Sequence, residues 1–259
     1  MHTFRTERSR ALAVVALALV ATMAYPVTPA LADATDTPTP VAVTISSIAP
    51  TNGTVAGGTV VTITGKGLTG TAAVAFGSTP ATKFTVVSDK TVTAIAPVLA
   101  AGTYAISVTT ATSTATGATF TVRTLEDEVL RLVNEARASK RKCGSTTYKA
   151  APALRTNKTL ANVAAAHSRD MAVHDYFSHN SRNGDSPFDR MKAAGYRYSS
   201  AGENIAAGYR TPASVVSAWL KSTGHCKNIM NKSYTQIGVG YATGGYYGTY
   251  WTQDFGRPR

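Results

Sequence analysis

The chain lacks the short signatures of the common hydrolases. There is no HExxH helix, no GxSxG elbow, and no serine set beside an obvious base. It lacks a recognised nucleic-acid reader motif, so no specific nucleic-acid partner is expected. Beyond the N-terminal region no run is apolar enough to cross a bilayer, which excludes a helical transmembrane segment there. Residues 41–122 contain no Cys, Trp or His, and nothing in them forms a constellation able to do chemistry. Cysteine is scarce overall, with only Cys143 and Cys226 in 259 residues.

What is present begins with Arg5, Arg8 and Arg10, an apolar run from Ala11 to Ala24, and the small-residue exit Ala30-Leu31-Ala32. This is the pattern of a secretory signal peptide over 1–32, leaving a mature, extracellular chain from Asp33. In an oxidising compartment an even pair of cysteines is most simply a disulfide, and a catalytic thiol is disfavoured. A Cys143–Cys226 bond closes a loop of about 80 residues, stabilises by roughly 4 kcal/mol on the chain-entropy estimate, and pins the residue beside His225. Charge is uneven. The formal +12 falls to +10 once the three Arg and one Glu of 1–32 are set aside. Three Lys cancel three Asp between 33 and 122, so the whole +10 lies in 123–259. Such a half favours anionic partners, a cell-wall polymer or anionic lipid among them; simple solubility is the plain alternative.

Residues 33–40 read as an extended linker. From Val41 to Val122 the chain turns to Thr, Val, Ala and Gly. Thr59–Thr64 and Tyr104–Val108 alternate with period two, and turn clusters fall every eight to twelve residues, the signature of a β-sandwich. Ile48-Ala49-Pro50 with Gly53, Gly57-Gly58-Thr59 through Gly65, and Val74-Ala75-Phe76-Gly77 resemble an IPT/TIG domain. That resemblance implies an immunoglobulin-like fold serving as spacer, adhesion or binding module.

The remainder, 123–259, reads as helices followed by a hairpin. Thr124 with Asp127 opens a helix whose apolar stripe is Leu125, Val129, Leu132, Val133 and Ala136. Leu160, Ala164, His167 and Met171 line a second helix, which makes His167 a core histidine. Ser186-Pro187 and Thr211-Pro212 are cap-and-proline starts of two more, stopped by Gly195 and Gly224. Ile237–Tyr241 and Tyr250–Phe255 read as paired strands. The fold class expected is α+β: an all-β Ig-like sandwich, then a layered domain of helices and sheet.

Three segments rich in turn-forming residues carry candidate chemistry, and Asn204 within them reads as a structural turn residue. Glu203, in Gly202-Glu203-Asn204-Ile205-Ala206, lies in the chain between His179 of Phe177-Ser178-His179-Asn180 and His225 of Thr223-Gly224-His225-Cys226. Brought together they could hold a cation or move a proton; the alternative is that all three are hydrogen-bonded structural residues. These segments, with Tyr176, Trp219 and Ile237-Gly238-Val239-Gly240, resemble a CAP domain, the cysteine-rich secretory, antigen 5 and pathogenesis-related 1 superfamily, in its short bacterial form. The resemblance implies an α-β-α sandwich with a central cleft, and zinc or another divalent cation on His179 and His225. Glu203 is then a general base, a third ligand or an orienting group. The fuller family pattern has a second glutamate three positions after a Trp; here Ser222 stands there, and serine is a poor zinc ligand.

The expected function is therefore a secreted binding protein for a lipid, sterol or wall-associated ligand, with the IPT/TIG domain as spacer. Tyr196, Tyr198, Tyr209, Tyr246 and Tyr247 are compatible with such a surface. The competing expectation is a divalent-metal-dependent hydrolase of peptide, wall polymer or phosphodiester.

Overall fold

The computed structural model describes residues 42–259. The signal-peptide and linker readings, 1–32 and 33–40, lie outside the described residues. Alternating Thr/Val/Ile sequences fold into β1 (Thr44–Ala49), β2 (Asn52–Thr54), β3 (Val60–Lys66), β4 (Thr71–Phe76), β5 (Thr79–Pro80), β6 (Lys83–Ser88), β7 (Thr91–Ile95), β8 (Gly102–Thr110) and β9 (Thr114–Arg123). They form two sheets, ordered β1-β3-β7-β6 and β2-β9-β8-β4-β5. Period two sends one face of each strand inward. Val61, Ile63, Val92, Val74, Phe76, Ile106, Val108 and Phe120 thus share a dry core, with the Phe76 and Phe120 rings 5.2 Å apart, edge to face. This is the expected Ig-like sandwich.

β9 ends at Arg123 and the next helix starts at Leu125, with Thr124 alone between them. Thr124 caps α1 (Leu125–Arg137) by accepting from the Asp127 N–H. Then come β10 (Arg141–Cys143), β11 (Thr146–Tyr148), β12 (Arg155–Thr156), α2 (Lys158–Val173), α3 (Pro187–Ala193), β13 (Tyr198–Ala207), α4 (Pro212–Lys221), α5 (Thr223–Met230), β14 (Gln236–Gly244) and β15 (Gly248–Pro258). The central sheet runs β12-β14-β15-β13, which leaves β13 at an edge. On one face lies α2. Gly238 and Gly240 of β14 meet its backbone directly: a Cβ on either would collide with the main chain at Leu160–Ala161 or Ala164–Ala165. On the other face Ile237, Val239, Trp251 and Phe255 pack with Val129 and Val133 of α1, Val215 and Trp219 of α4, and Ile229 of α5. Helices on both faces of one sheet make the α-β-α sandwich.

Two local expectations are corrected. Gly202–Ala206 is not a turn-rich segment but the middle of β13, paired residue by residue with Phe255 to Trp251 of β15. Glycine at 202 is required because a Cβ there would strike the Tyr234 hydroxyl. Gly224 does not stop α4. The chain turns at Ser222 alone (φ −83°, ψ 125°), and Gly224 falls in the first turn of α5. There its poor helix propensity is tolerated, because the early N–H groups have no intrahelical partner in any case. His225 therefore sits on a helix.

Candidate functional site

β13 supplies Glu203, and everything around the carboxylate is arranged to occupy it. Its Oε1 lies 2.7 Å from His179 Nδ1 and its Oε2 lies 2.6 Å from an Arg190 NH2. An ionised carboxylate only accepts, so the His179 Nδ1–H is the donor, and Nε2 faces away from Glu203. The Glu203 side chain is 2 % exposed and that of Arg190 12 %, whereas His179 is half in solvent at 51 %. Arg190, on α3, also donates through NH1 to the His179 carbonyl, Ser181 Oγ and the Asp185 carbonyl. One guanidinium thus fixes both the acid and the loop that carries its histidine. His167 adds a second tie. Fully buried on α2 as expected, it donates from Nε2 to the Ser178 carbonyl at 2.9 Å, next to His179. Burial first, then the Arg190 charge, hold its pKa below the usual imidazole value.

Beneath Glu203 is a residue that sequence reasoning missed. Asp254 faces it across the β13–β15 pair. Neither Asp254 oxygen accepts a hydrogen bond from a protein donor. Complete burial, and then the Glu203 charge, push its carboxyl well above the ordinary range. That shift favours the protonated form of the carboxyl, whose O–H would face the Glu203 carboxylate across the pair. The signal available beforehand was a lone acid inside the Tyr250–Phe255 strand. Arg190 offered none, because its role depends on a contact thirteen residues away.

His225 comes from α5. Asn204, fully buried in β13, donates to the His225 carbonyl at 3.2 Å and to Gln253 Oε1 at 3.0 Å, while Asn228 donates to Asn204 Oδ1 at 2.8 Å. Asn204 is thus a strand-to-helix tie and not the turn residue expected. The Cys143–Cys226 disulfide, present as expected, ties the same helix to β10. Burial, then the nearby His179 charge, hold the His225 pKa below its usual value. His179 is thus near enough to be felt at His225, while Glu203 holds the His179 ring through its Nδ1. Ser222 lines the same region and brings no carboxylate.

Among the described residues no group of three or more His, Cys, Asp or Glu is arranged to hold a metal ion. With both Glu203 oxygens committed, the donors left are the two imidazoles. Two imidazoles fall short of the three protein ligands usual in catalytic zinc centres.

Beside the histidines opens a cleft of about 340 Å3 across the free edge of β13. Ile205, Ala206, Ala207, Ala218 and Trp219 line it, with Phe177, Tyr209 and Tyr247 at the rim and His225 and Ser222 as its polar groups. The Trp219 indole N–H is spent on the Ile205 carbonyl at 3.1 Å. Of the five tyrosines singled out from sequence, Tyr209 and Tyr247 belong here. Tyr196 is buried with Leu160, Val163 and Met191, and Tyr198 packs against the same cluster.

Comparison with known proteins gives the same division. The model of the cysteine-rich secretory protein family, CAP, matches residues 130–255, and that of the IPT/TIG domain matches residues 43–122. The uncharacterized protein YkwD of Bacillus subtilis (strain 168) is 44 % identical over 144 residues, 56 % of this chain and 51 % of YkwD. The uncharacterized membrane protein YlbC of the same organism is 39 % identical over 102 residues, 39 % of this chain and 28 % of YlbC. The match thus spans about half the length of one curated relative and less of the other. An extracellular protein containing a SCP domain from Bacillus anthracis str. Ames is 32 % identical, with a TM-score of 0.43 over 51 % of this chain and 40 % of its own. Residues 130–255 are accordingly a domain of the cysteine-rich secretory protein (CAP) family, preceded in the same chain by an IPT/TIG domain.

Proposed function

We propose that the protein is a secreted binding protein whose CAP cleft takes a lipid, sterol or wall-associated ligand, the IPT/TIG domain acting as spacer or adhesion module. The observation that carries this reading is the composition of the cleft: apolar walls, an aromatic rim and a few polar groups, the usual make-up of a ligand site. The disulfide and the N-terminal leader pattern support an extracellular setting. The test is Ala218→Phe, which fills the cleft from α4. Binding of the full chain to purified cell wall and to vesicles with and without sterol should fall in this variant while its unfolding midpoint holds. Failure of the folded wild type to bind any of the three removes the reading.

A metal-dependent hydrolase is the second reading, and one observation favours it: the Glu203–His179 bond leaves Nε2 free to act as a base. A divalent cation, when bound, supplies an acidified water. His225→Ala then abolishes turnover of peptide, wall polymer or phosphodiester substrates; unchanged turnover rules this reading out.

A further inference from the structure

The turn between β14 and β15 holds its aromatic residues out to solvent on a rigid mount. Tyr246 is 86 % exposed at the tip, Tyr247 is 48 % exposed behind it, and Phe177 is 45 % exposed across the cleft rim. Their rings form one contiguous cluster, Tyr246 edge-on to Tyr247 at 5.2 Å and 87° and Phe177 tilted against Tyr247 at 6.0 Å and 59°. Gly244, Gly245 and Gly248 all have positive φ, a tight geometry that side chains resist.

What fixes this turn is Asp175. It is the residue after the C-cap of α2, with φ 52°, in a closing motif where the Tyr176 N–H reaches back to the Met171 carbonyl. Glycine is the ordinary residue at that left-handed position, and aspartate is strained there. The aspartate has a use that glycine lacks: its Oδ1 accepts the Tyr246 N–H at 2.6 Å. Gly245 lies so close that a Cβ would meet Asp175 Oδ1 at 2.8 Å and the Ala172 carbonyl at 2.7 Å. Backbone strain at the end of α2 is thereby coupled to the position of the most exposed ring in the domain.

We infer that Phe177, Tyr246 and Tyr247 form a preorganised platform on which a neutral, β-linked glycan chain stacks, with its hydroxyls turned to Ser222 and His225 in the adjoining cleft. This deepens the proposed function and rests on the cleft being a ligand site. Two observations and one chemical match select the occupant. No Lys, Arg, Asp or Glu lines the cleft, so an anionic headgroup or phosphodiester finds no counter-charge there. The rim rings remain about half-exposed or more, where an acyl chain would be left wet. A pyranose ring has the matching surface, an apolar C–H face bordered by hydroxyls, suited to exposed aromatic faces beside hydrogen-bonding groups.

The test uses the full chain with cellohexaose and chitohexaose, followed by titration calorimetry at low and high salt. Saturable binding that is insensitive to salt is expected, because no fixed charge takes part. Tyr246→Ala/Tyr247→Ala should weaken it about tenfold. Asp175→Gly should weaken it several-fold while the unfolding midpoint stays level or rises, since the helix cap is relieved and only the mount is lost. A merely structural aspartate would lower the midpoint and leave affinity alone. Absence of binding to both oligosaccharides, or equal binding by the double tyrosine variant, overturns the inference. If wild type then binds sterol-containing vesicles and Ala218→Phe does not, the cleft reading stands without the glycan; if nothing binds, both fall.

Discussion

Arg190→Met removes the cation from a buried pair and leaves Glu203, 2 % exposed, facing a thioether. Breaking a buried ion pair by deleting one partner costs about 3–5 kcal/mol, because the surviving charge stays desolvated. The 2.6 Å contact and the three further acceptors of the Arg190 NH1 place this variant in that range rather than among surface pairs worth under about 1 kcal/mol. The assay is urea unfolding followed by tryptophan fluorescence. Both tryptophans, Trp219 and Trp251, are buried in the CAP domain, so the signal reports that domain alone. With a urea m-value of about 2 kcal/mol/M, the midpoint should drop by roughly 2 M. Adding Glu203→Gln to Arg190→Met should recover part of the loss, because the orphaned charge is then gone. A loss under about 1 kcal/mol, or a double variant worse than the sum of the singles, would refute the view that Arg190 compensates a buried charge.

Asp254→Asn tests the raised carboxyl. A group whose folded pKa is raised holds its proton in the folded state after the unfolded chain has released it. Wild-type stability therefore declines as pH rises above about 3.9, the unfolded value, through the raised folded value. Urea titrations across this range should show that slope in wild type and its absence in the variant; a shared slope would assign the titration elsewhere. Gly240→Ala should destabilise by about 1–3 kcal/mol or more, since α2 must lift off β14, whereas Gly224→Ala, with open space around its Cβ, should be neutral or stabilising in the same urea assay. Zinc calorimetry on the full chain should give weak binding near one equivalent, lost in His179→Ala/His225→Ala; equal binding by that variant would mean the imidazoles do not share an ion.

The parts of this fold that can be read from the chain are those with local causes. Alternation in Thr59–Thr64 and the caps at Thr124, Ser186 and Thr211 act within a few residues, and the elements they announce are present. The apolar spacing that put His167 in the core also holds. What could not be read locally depends on partners far along the chain. Ser199 to Asn204 has little strand propensity and becomes β13 because β15 pairs with it and Tyr234 needs Gly202 bare. Thr223-Gly224 reads as a stop, but the helix beyond it is held by the disulfide and the amides of Asn204 and Asn228. The meeting of His179 with Glu203 was legible as a motif. The same is not true of the clamp by Arg190, which has no periodic or compositional trace, and Asp254 leaves only that of a lone acid inside a strand.

The glycines under α2 have a consequence for how the cleft responds to a ligand. Packed elements usually slide past one another by small rotamer changes in the side chains between them. At Gly238 and Gly240 that intervening layer is missing, and main chain rests on main chain. Helix and strand must then travel as a single plate, with no bearing on which to shear. Accommodation of a guest is left to the segments beyond the plate, the loop carrying Phe177 and His179 and the stretch around Tyr209. On the proposed binding role selectivity is set by those segments, and exchanging them should alter what is bound without disturbing the plate beneath.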